Sequence, residues 1–572
     1  MGSNSVIVLG ICDGHNSGAC LLKDGSIVAA ISEERLSRIK NDTGYPYKSV
    51  RKVLEMTQIH PEDIEIVALA GKYGHRKEFY ANFDWYRTGY KEQLADFANR
   101  SKNEQDAASL LGERKDRIAK DLAIPDKKIV VVEHHLCHAA TAYYASNWVN
   151  NEKVVVLTCD GSGDGICATV NIGEGGKLTR LSQTPSKSSV GRIYSRVTYL
   201  MGMKPWEHEY KIMGLAPYAD EGGVQKSYGI LSTLVEVRDG NLEFNMKSNL
   251  EAGYCYQFLR EKLENHRFDW MAGAVQKFTE DLLIMWVRNI IKHTGIRKLA
   301  CAGGVFMNVK ANMMIREMDE VEDLFVFPSC GDESISIGAA YSAYSDYLAQ
   351  HGEGFPKKPI GPIYYGPSYS NEEIEEYLKK NLGRQFTIEY REDINDHIAE
   401  LLTHGKIIAR FNDKMEFGAR ALGNRSILAD PSNYDQVREL NMAIKQRDFW
   451  MPFAPSILIE NQEELIENPE KIRSPYMMQG FRTKDSAHKN LASAIHPYDF
   501  TARPQILEKN YNLSYHQLIS SFFKLTGIPG VLNTSFNLHG EPIVCSPLDA
   551  IQTLKNSGLK HLAIGNYFVI KK

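Results

Sequence analysis

The chain has 572 residues, 43% hydrophobic and 24% charged, with a formal net charge of -4 at pH 7. That length exceeds one core of ordinary size and calls for at least two domains, and the composition is that of a folded globular protein. A mildly acidic chain lacks the basic field that nucleic acid demands, no run of about 18 apolar residues offers a membrane span, and the start, "MGSNSVIVLGICDGHNSG", has no basic n-region for secretion. Nine scattered cysteines without a Cys-x-x-Cys pair fit a reducing, cytoplasmic setting.

Taken in chain order, "VIVLGICDGHNSGACLLKDGSIVAA" from Val6 predicts a buried strand, an Asp13-Gly14 turn, a second strand and a glycine turn into a third. The stretch "KEFYANFDWYRTGYKEQLADF", Lys77 to Phe97, reads as a helical insertion packed on its own domain or a partner; its acidic and aromatic residues would otherwise suit a cationic ligand. In "VVVEHHLCHAATAYYAS" a strand runs into a helix, and the spacing of four places His134 and His138 on one face as a metal clip. The competing reading is a polar helix start whose histidines cap or meet solvent. From Val154, "VVVLTCDGSGDGICATVNIGEGGKLTRL" repeats the opening pattern around Asp160-Gly161, an internal duplication of the kind in which actin, sugar kinases and heat-shock ATPases hold a nucleotide.

Next, "LACAGGVFMNVKAN" reads as strand, Gly303-Gly304, then helix, a loop whose amides suit negative charge. In "VFPSCGDESISIGAAYSAYS" a strand ends near Asp332, with Asp332 or Ser334 as a helix cap the alternative. Together His134, His138, Asp160 and Asp332 offer two nitrogens and two oxygens, a set that suits Fe(II), Mn(II) or Zn(II) without choosing among them. Pro and Gly cluster in "HGEGFPKKPIGPIYYGPSYS", an interdomain linker. Beyond it, "MEFGARALGNRSILADP" and "AIKQRDFWMPFAPS" interleave Arg420, Arg425, Lys445 and Arg447 with small residues, a pocket for phosphate and carbonyl oxygens rather than a solvated charge run. In "GIPGVLNTSFNLHGEPIVCSP", Asn533, Ser535 and Asn537 orient a planar amide or nucleotide, or else cap turns.

These motifs, with "EERLSRIK", "KIMGLAPY" and "PFAPS", run nearly end to end in the order of a known family. The sequence resembles the O-carbamoyltransferases of the nodulation-protein and cephalosporin-tailoring type. The resemblance implies an α/β protein with three parts: a threonylcarbamoyl-transferase-like domain of the actin/sugar-kinase fold over 1-355, a linker over 356-370, and a YrdC-like domain over 371-572. The second domain would form carbamoyl-adenylate from carbamoyl phosphate and ATP with Mg2+. The first would transfer the carbamoyl group to a hydroxyl of a small natural product, an antibiotic or a toxin. Carried over by position, His134, His138, Asp160 and Asp332 bind iron, and Gly303, Gly304 and Asn308 hold the adenylate. Arg420, Arg425, Lys445 and Arg447, with Arg503 of "TARPQ", hold carbamoyl phosphate and nucleotide phosphates. The family's usual His-Asp near the start is His15-Asn16 here. His15, on the first Asp-Gly hairpin, is the expected general base, against a solvated turn histidine.

The rival enzyme is an ATP-dependent small-molecule kinase of the same fold, which needs neither the histidine pair nor a second basic domain. A non-enzymatic rival is an ATP-dependent assembly subunit with a basic groove. Carbamoyl phosphate, ATP, a small hydroxylated acceptor and a second copy of the chain in a homodimer are the expected partners; the motifs specify chemistry, not the acceptor.

Overall fold

The computed structural model of the protein describes residues 5–74, 84–98 and 100–572. It forms two compact units, Met1–Glu33 with Asn41–Ile360, and Glu34–Lys40 with Gly361–Lys572. Of the expected insertion, Lys77 to Phe83 lies outside the described residues; the rest is a turn at Asp84–Arg87 and the helix Tyr90–Ala98, and the helix Arg100–Leu122 follows. Among the described residues no helix is long and apolar enough to cross a membrane.

The first unit is built twice over. Strands β1 (Ile7–Cys12), β2 (Gly18–Lys23), β3 (Ser26–Ser32), β4 (Ile66–Ala70) and β5 (Ile129–Val132) form a sheet of order β3-β2-β1-β4-β5. Its meander is antiparallel, and β1, β4 and β5 are parallel. A second sheet contains β6 (Val154–Gly163), β7 (Ile166–Glu174) and β8 (Lys177–Pro185). After a small ribbon, β9 (Val235–Glu236) with β10 (Asn245–Met246), it adds β11 (Lys298–Ala302) and β12 (Asp323–Val326). Its order, β12-β11-β6-β7-β8, repeats the first connectivity, so the duplicated sequence pattern is a duplicated sheet.

All six residues of β1 are buried, which is why it reads as a continuous apolar run rather than an alternating one. Two helices fill the space that such strands leave. Ile335–Gln350 packs on β1, β2 and β4, His134–Tyr144 packs on β6 and β11, and the two pack on each other. Their approach is close: a Cβ at Gly338 would lie 1.9 Å from the Cys137 carbonyl oxygen. Small residues in "SIGAA" therefore draw the start of one helix beside the start of the other.

The second unit is a three-layer α/β/α structure. Its strands are β13 (Phe386–Tyr390), β14 (Ile408–Phe411), β15 (Arg425–Ala429), β16 (Ala454–Leu458), a ribbon of β17 (Phe481–Arg482) and β18 (Thr501–Ala502), β19 (Gln505–Leu507), β20 (Gly530–Ser535), β21 (His561–Ile564) and β22 (Tyr567–Lys571). The central sheet has the order β13-β22-β21-β14-β15-β20-β16-β19. Period-two alternation divides its core: Ala409, Phe411, Ile427 and Ala429 join one hydrophobic layer, Ile408 and Leu428 the other. Helices Asn371–Asn381 and Pro547–Lys555 cover the first face; Ile394–Thr403 and Leu513–Thr526 cover the second. The "EERLSRIK" motif belongs largely to this unit, with Arg35 donating to Gly418 O at 2.7 Å and Arg38 to Ile543 O at 2.7 Å.

Pairing direction explains where the basic motifs go. Strand β20 runs antiparallel to both β15 and β16, and β19 runs parallel to β16. The starts of β15, β16 and β19 and the end of β20 therefore lie at one end of the sheet. Four segments far apart in sequence meet there.

Candidate active site

In the first unit, the helix His134–Tyr144 begins directly after β5, capped by Glu133, whose carboxylate accepts the N–H groups of His135 and Leu136 at 2.9 Å each. One turn apart, His134 and His138 face the same way, and their Nε2 atoms lie 3.1 Å apart. Asp160 Oδ2 stands 3.3 Å from His134 Nε2, and Asp332 Oδ1 stands 3.5 Å from His134 Nε2 and 3.4 Å from His138 Nε2. One ligand atom from each of the four residues lies within 4.8 Å of every other. The capping alternative for Asp332 is not what the chain does, because no side chain caps the following helix.

The donor set fits a cation. Asp332 Oδ1 is buried with no hydrogen-bond partner, yet it faces two imidazole nitrogens. Two Nε2 lone pairs at 3.1 Å repel unless a proton or a metal ion lies between the groups. Burial opposes charge on His134, but Asp332 and then Asp160 outweigh it and push its pKa up to about 9. Asp160 is held well below the usual carboxylate range by His134 and His138, against the opposing effect of burial. Two histidines and two carboxylates are a first-row transition-metal set, with one anionic charge from each carboxylate.

His135 is excluded from this set. Its Nε2–H donates to Ile166 O at 3.0 Å and its Nδ1 accepts from Thr158 Oγ1 at 2.7 Å. Burial and the two neighbouring histidines drive its pKa far down, so it is a neutral core residue.

Several supporting groups escape a reading by motif. Asp164 accepts the N–H of His134 at 2.8 Å and those of Lys72 and Tyr73 at 2.9 and 2.8 Å, tying three loops together. Gly163 must lack a side chain, since a Cβ there would sit 2.0 Å from the His134 ring. The second aspartate of "CDGSGDG" was the available signal for Asp164; nothing marked Glu133, a residue type uncommon at a cap.

The loop Gly303-Gly304 packs against the Asp160 turn. Gly303 (φ +104) donates its N–H to Cys330 O at 2.7 Å, and Gly304 donates to Asp160 Oδ1 at 3.1 Å. Asn308 caps the helix Val309–Arg316 and exchanges hydrogen bonds with Gln276. These groups brace Asp160 and the helix.

His15 is not in the acid–histidine cluster; its ring meets Trp206 edge-on at 5.0 Å between centroids. Asn16 has φ +54, a left-handed conformation that Asn accepts at little cost, which accounts for its place in the turn.

In the second unit, Lys445 is 2% exposed and donates to Ser535 Oγ at 3.2 Å and Asn537 Oδ1 at 2.7 Å. Arg447 donates to Thr534 Oγ1 at 3.1 Å and lies over the Phe453 ring. Burial, then Arg447 and Lys40, drives the Lys445 ammonium well below its usual range; burial, then Arg420 and Arg447, does the same to Arg503. Cations thus crowd one end of the sheet and repel one another, an arrangement that an entering anion relieves. Arg425 is the exception. Fully buried, it donates to the carbonyls of Asn412, Asn424, Pro367 and Asp413 and lies 3.7 Å over the Phe411 ring. Those bonds use both of its Nη groups. Glu416, which no motif singled out, shapes this loop: its Oε1 accepts the N–H groups of Leu422, Asn424 and Arg425 at 2.6, 3.2 and 3.1 Å.

Residues 7–341 match the family described as carbamoyltransferase N-terminus, and residues 399–571 match carbamoyltransferase C-terminus. Nodulation protein NolNO of Sinorhizobium fredii is 30% identical over 98% of this chain and 79% of its own. The uncharacterized protein MJ1051 of Methanocaldococcus jannaschii is 31% identical over 99% of this chain and 100% of its own. Nodulation protein NolO of Bradyrhizobium diazoefficiens is 32% identical over 77% and 79%. The chain belongs to the carbamoyltransferase family.

Proposed function

We propose that the protein is an ATP-dependent O-carbamoyltransferase that works in two half-reactions. Its second unit, read as a YrdC-like domain, binds carbamoyl phosphate and Mg-ATP; water cleaves carbamoyl phosphate to carbamate and phosphate, and the carbamate oxygen attacks the α-phosphorus of ATP to form carbamoyl-adenylate, releasing pyrophosphate. Its first unit, read as threonylcarbamoyl-transferase-like, passes the carbamoyl group to a hydroxyl of a small natural product, an antibiotic or toxin. The setting is the cytoplasm, a reading supported by nine free, buried cysteines. The observation that carries the proposal is the buried Lys445, held by Ser535 and Asn537 beside the mutually repelling Arg447, Arg420 and Arg503.

The division has a chemical reason. A carbamoyl nitrogen donates into its own carbonyl, which makes the group a poor electrophile, and an adenylate leaving group restores reactivity. Lys445 and the three arginines hold phosphoryl oxygens by charge-assisted hydrogen bonds in a site of low dielectric. An Fe(II), Mn(II) or Zn(II) ion held by His134, His138, Asp160 and Asp332 would supply Lewis-acid polarisation of a carbonyl or phosphoryl oxygen. His15, oriented against Trp206, takes the proton of the attacking hydroxyl as general base.

The test is product analysis with carbamoyl phosphate and ATP. The protein is expected to release pyrophosphate, and Lys445→Ala to lose at least ~10²-fold of that activity, the usual scale for a removed electrostatic donor. A phosphorylated acceptor with ADP, and no pyrophosphate, would replace this reading with a kinase.

A further inference from the structure

Asn533 lies on β20 and is 2% exposed. Its Nδ2 donates to Ala421 O and to Ser456 Oγ, each at 3.0 Å. A backbone carbonyl can only accept, and the Ser456 hydroxyl places its own hydrogen on Gln505 Oε1 at 2.7 Å. Gln505 is oriented in turn, because its Nε2 donates to Leu422 O at 3.2 Å. Nitrogen and oxygen of the Asn533 amide are therefore distinguished by chemistry, and only one orientation satisfies both partners.

That orientation leaves Asn533 Oδ1 buried without a hydrogen-bond partner. Buried carbonyl oxygens are rarely left unpaired, since nothing replaces the water they lost. The neighbours of this amide all belong to the cationic loops. Ala421 follows Arg420, and Gln505 lies two residues beyond Arg503. Those arginines influence one another directly. An unused acceptor thus lies among the segments that carry Arg420 and Arg503.

Arginine and lysine side chains recognise phosphate and carbonyl oxygens, and both features are shared by carbamoyl phosphate and acetyl phosphate. The two molecules have nearly the same shape; they differ in an NH2 where the acetyl group has CH3. Only an acceptor tells them apart. We propose that Asn533 Oδ1 accepts an N–H of the carbamoyl group, which makes Asn533 the residue that selects carbamoyl phosphate over acetyl phosphate. This inference rests on the reading of the cationic loops as the carbamoyl phosphate site. A site built around a hydrogen bond discriminates strongly against a ligand that lacks the donor, because the buried acceptor then stays unpaired.

The experiment is calorimetric titration of the full chain, without ATP, with carbamoyl phosphate, acetyl phosphate and inorganic phosphate. The unaltered protein is expected to bind carbamoyl phosphate at least ~10-fold more tightly than acetyl phosphate. Asn533→Ala is expected to bring the two affinities together while phosphate binding persists. Equal affinities in the unaltered protein would overturn the role of Asn533 and leave the anion site standing, whatever the variant does. Failure to bind any of the three would remove the anion site, and this inference with it. A variant that folds, as judged by its melting curve, and still prefers carbamoyl phosphate also overturns it.

Discussion

The two halves of the first unit put an aspartate at matching places, and the two aspartates do different work. In each meander a cysteine ends the regular strand pairing, Cys12 with Gly18 and Cys159 with Ala168, and Asp13 or Asp160 follows. Asp13 is locked to Arg114, which donates from Nη2 to Oδ1 at 2.7 Å and from Nε to Oδ2 at 2.9 Å. The remaining Arg114 N–H groups reach the carbonyls of Ala70, Gly71 and Lys72. Asp160 instead faces His134 and is steadied by the Gly304 N–H. The difference arises outside the repeat. Between β4 and β5 lies the helix Arg100–Leu122 that carries Arg114; between β11 and β12 lie a turn, Gly304–Met307, and the short helix Val309–Arg316. Duplication supplies the position, and the intervening segment decides whether it closes as a salt bridge or stays open beside the histidines.

The largest expected effect comes from the open position. Asp160→Asn should strip the bound metal, about one ion per chain in the unaltered protein, and slow carbamoyl transfer by roughly 10³-fold or more, the rate equivalent of several kcal/mol. Elemental analysis of purified protein reads the first quantity and a turnover assay the second. Parental metal content in the variant would remove Asp160 from the ligand set.

The closed position should respond in stability instead. Both partners are 6% exposed at the side chain. Asp13→Asn leaves the Arg114 charge buried without its counter-charge, a change that costs about 3–5 kcal/mol. Urea unfolding should show that loss, while the folded fraction keeps its metal. If Asp13→Asn removes metal without lowering stability, the two turns are not divided in the way their partners indicate.

Local features of this contrast are legible in the sequence. Strand runs, the duplicated Asp-Gly turns and the spacing of His134 and His138 depend on neighbours within a few residues, and each forms as its pattern implies. Arg114 is invisible because its partner lies 101 residues away, reached only through the sheet order. The cationic loops illustrate the same limit from the other side: their residue types mark an anion site, but antiparallel pairing of β20 with β15 and β16 brings them together. Residue type also cannot say which groups the protein itself consumes. Arg425, Gly304 and Asn308 look like ligand contacts, and each also makes hydrogen bonds within the protein that no motif foretells. The assignment of Glu34–Lys40 to the second unit has no local signature either, since Arg35 and Arg38 find carbonyls some 383 and 505 residues further on.

The smallest expected effect sharpens the comparison by pH. In the metal-free protein His134 has a pKa of about 9 against an ordinary 6.5, so the folded state holds its proton more tightly than the unfolded chain. That contribution to stability is complete below about pH 6.5 and fades as pH rises towards 9. A divalent ion must displace the same proton, so its affinity runs in the opposite direction, rising by about tenfold per pH unit over that interval and levelling above it. Chelator competition across the interval measures the affinity, and thermal unfolding after metal removal measures the stability. Asp13→Asn, whose carboxylate lies in the other turn, should keep the full pH slope of metal affinity; His134→Ala should flatten what binding remains. A flat affinity in the unaltered protein would mean that His134 carries no proton to displace, and that the repulsion between the two Nε2 atoms is relieved by some means other than protonation.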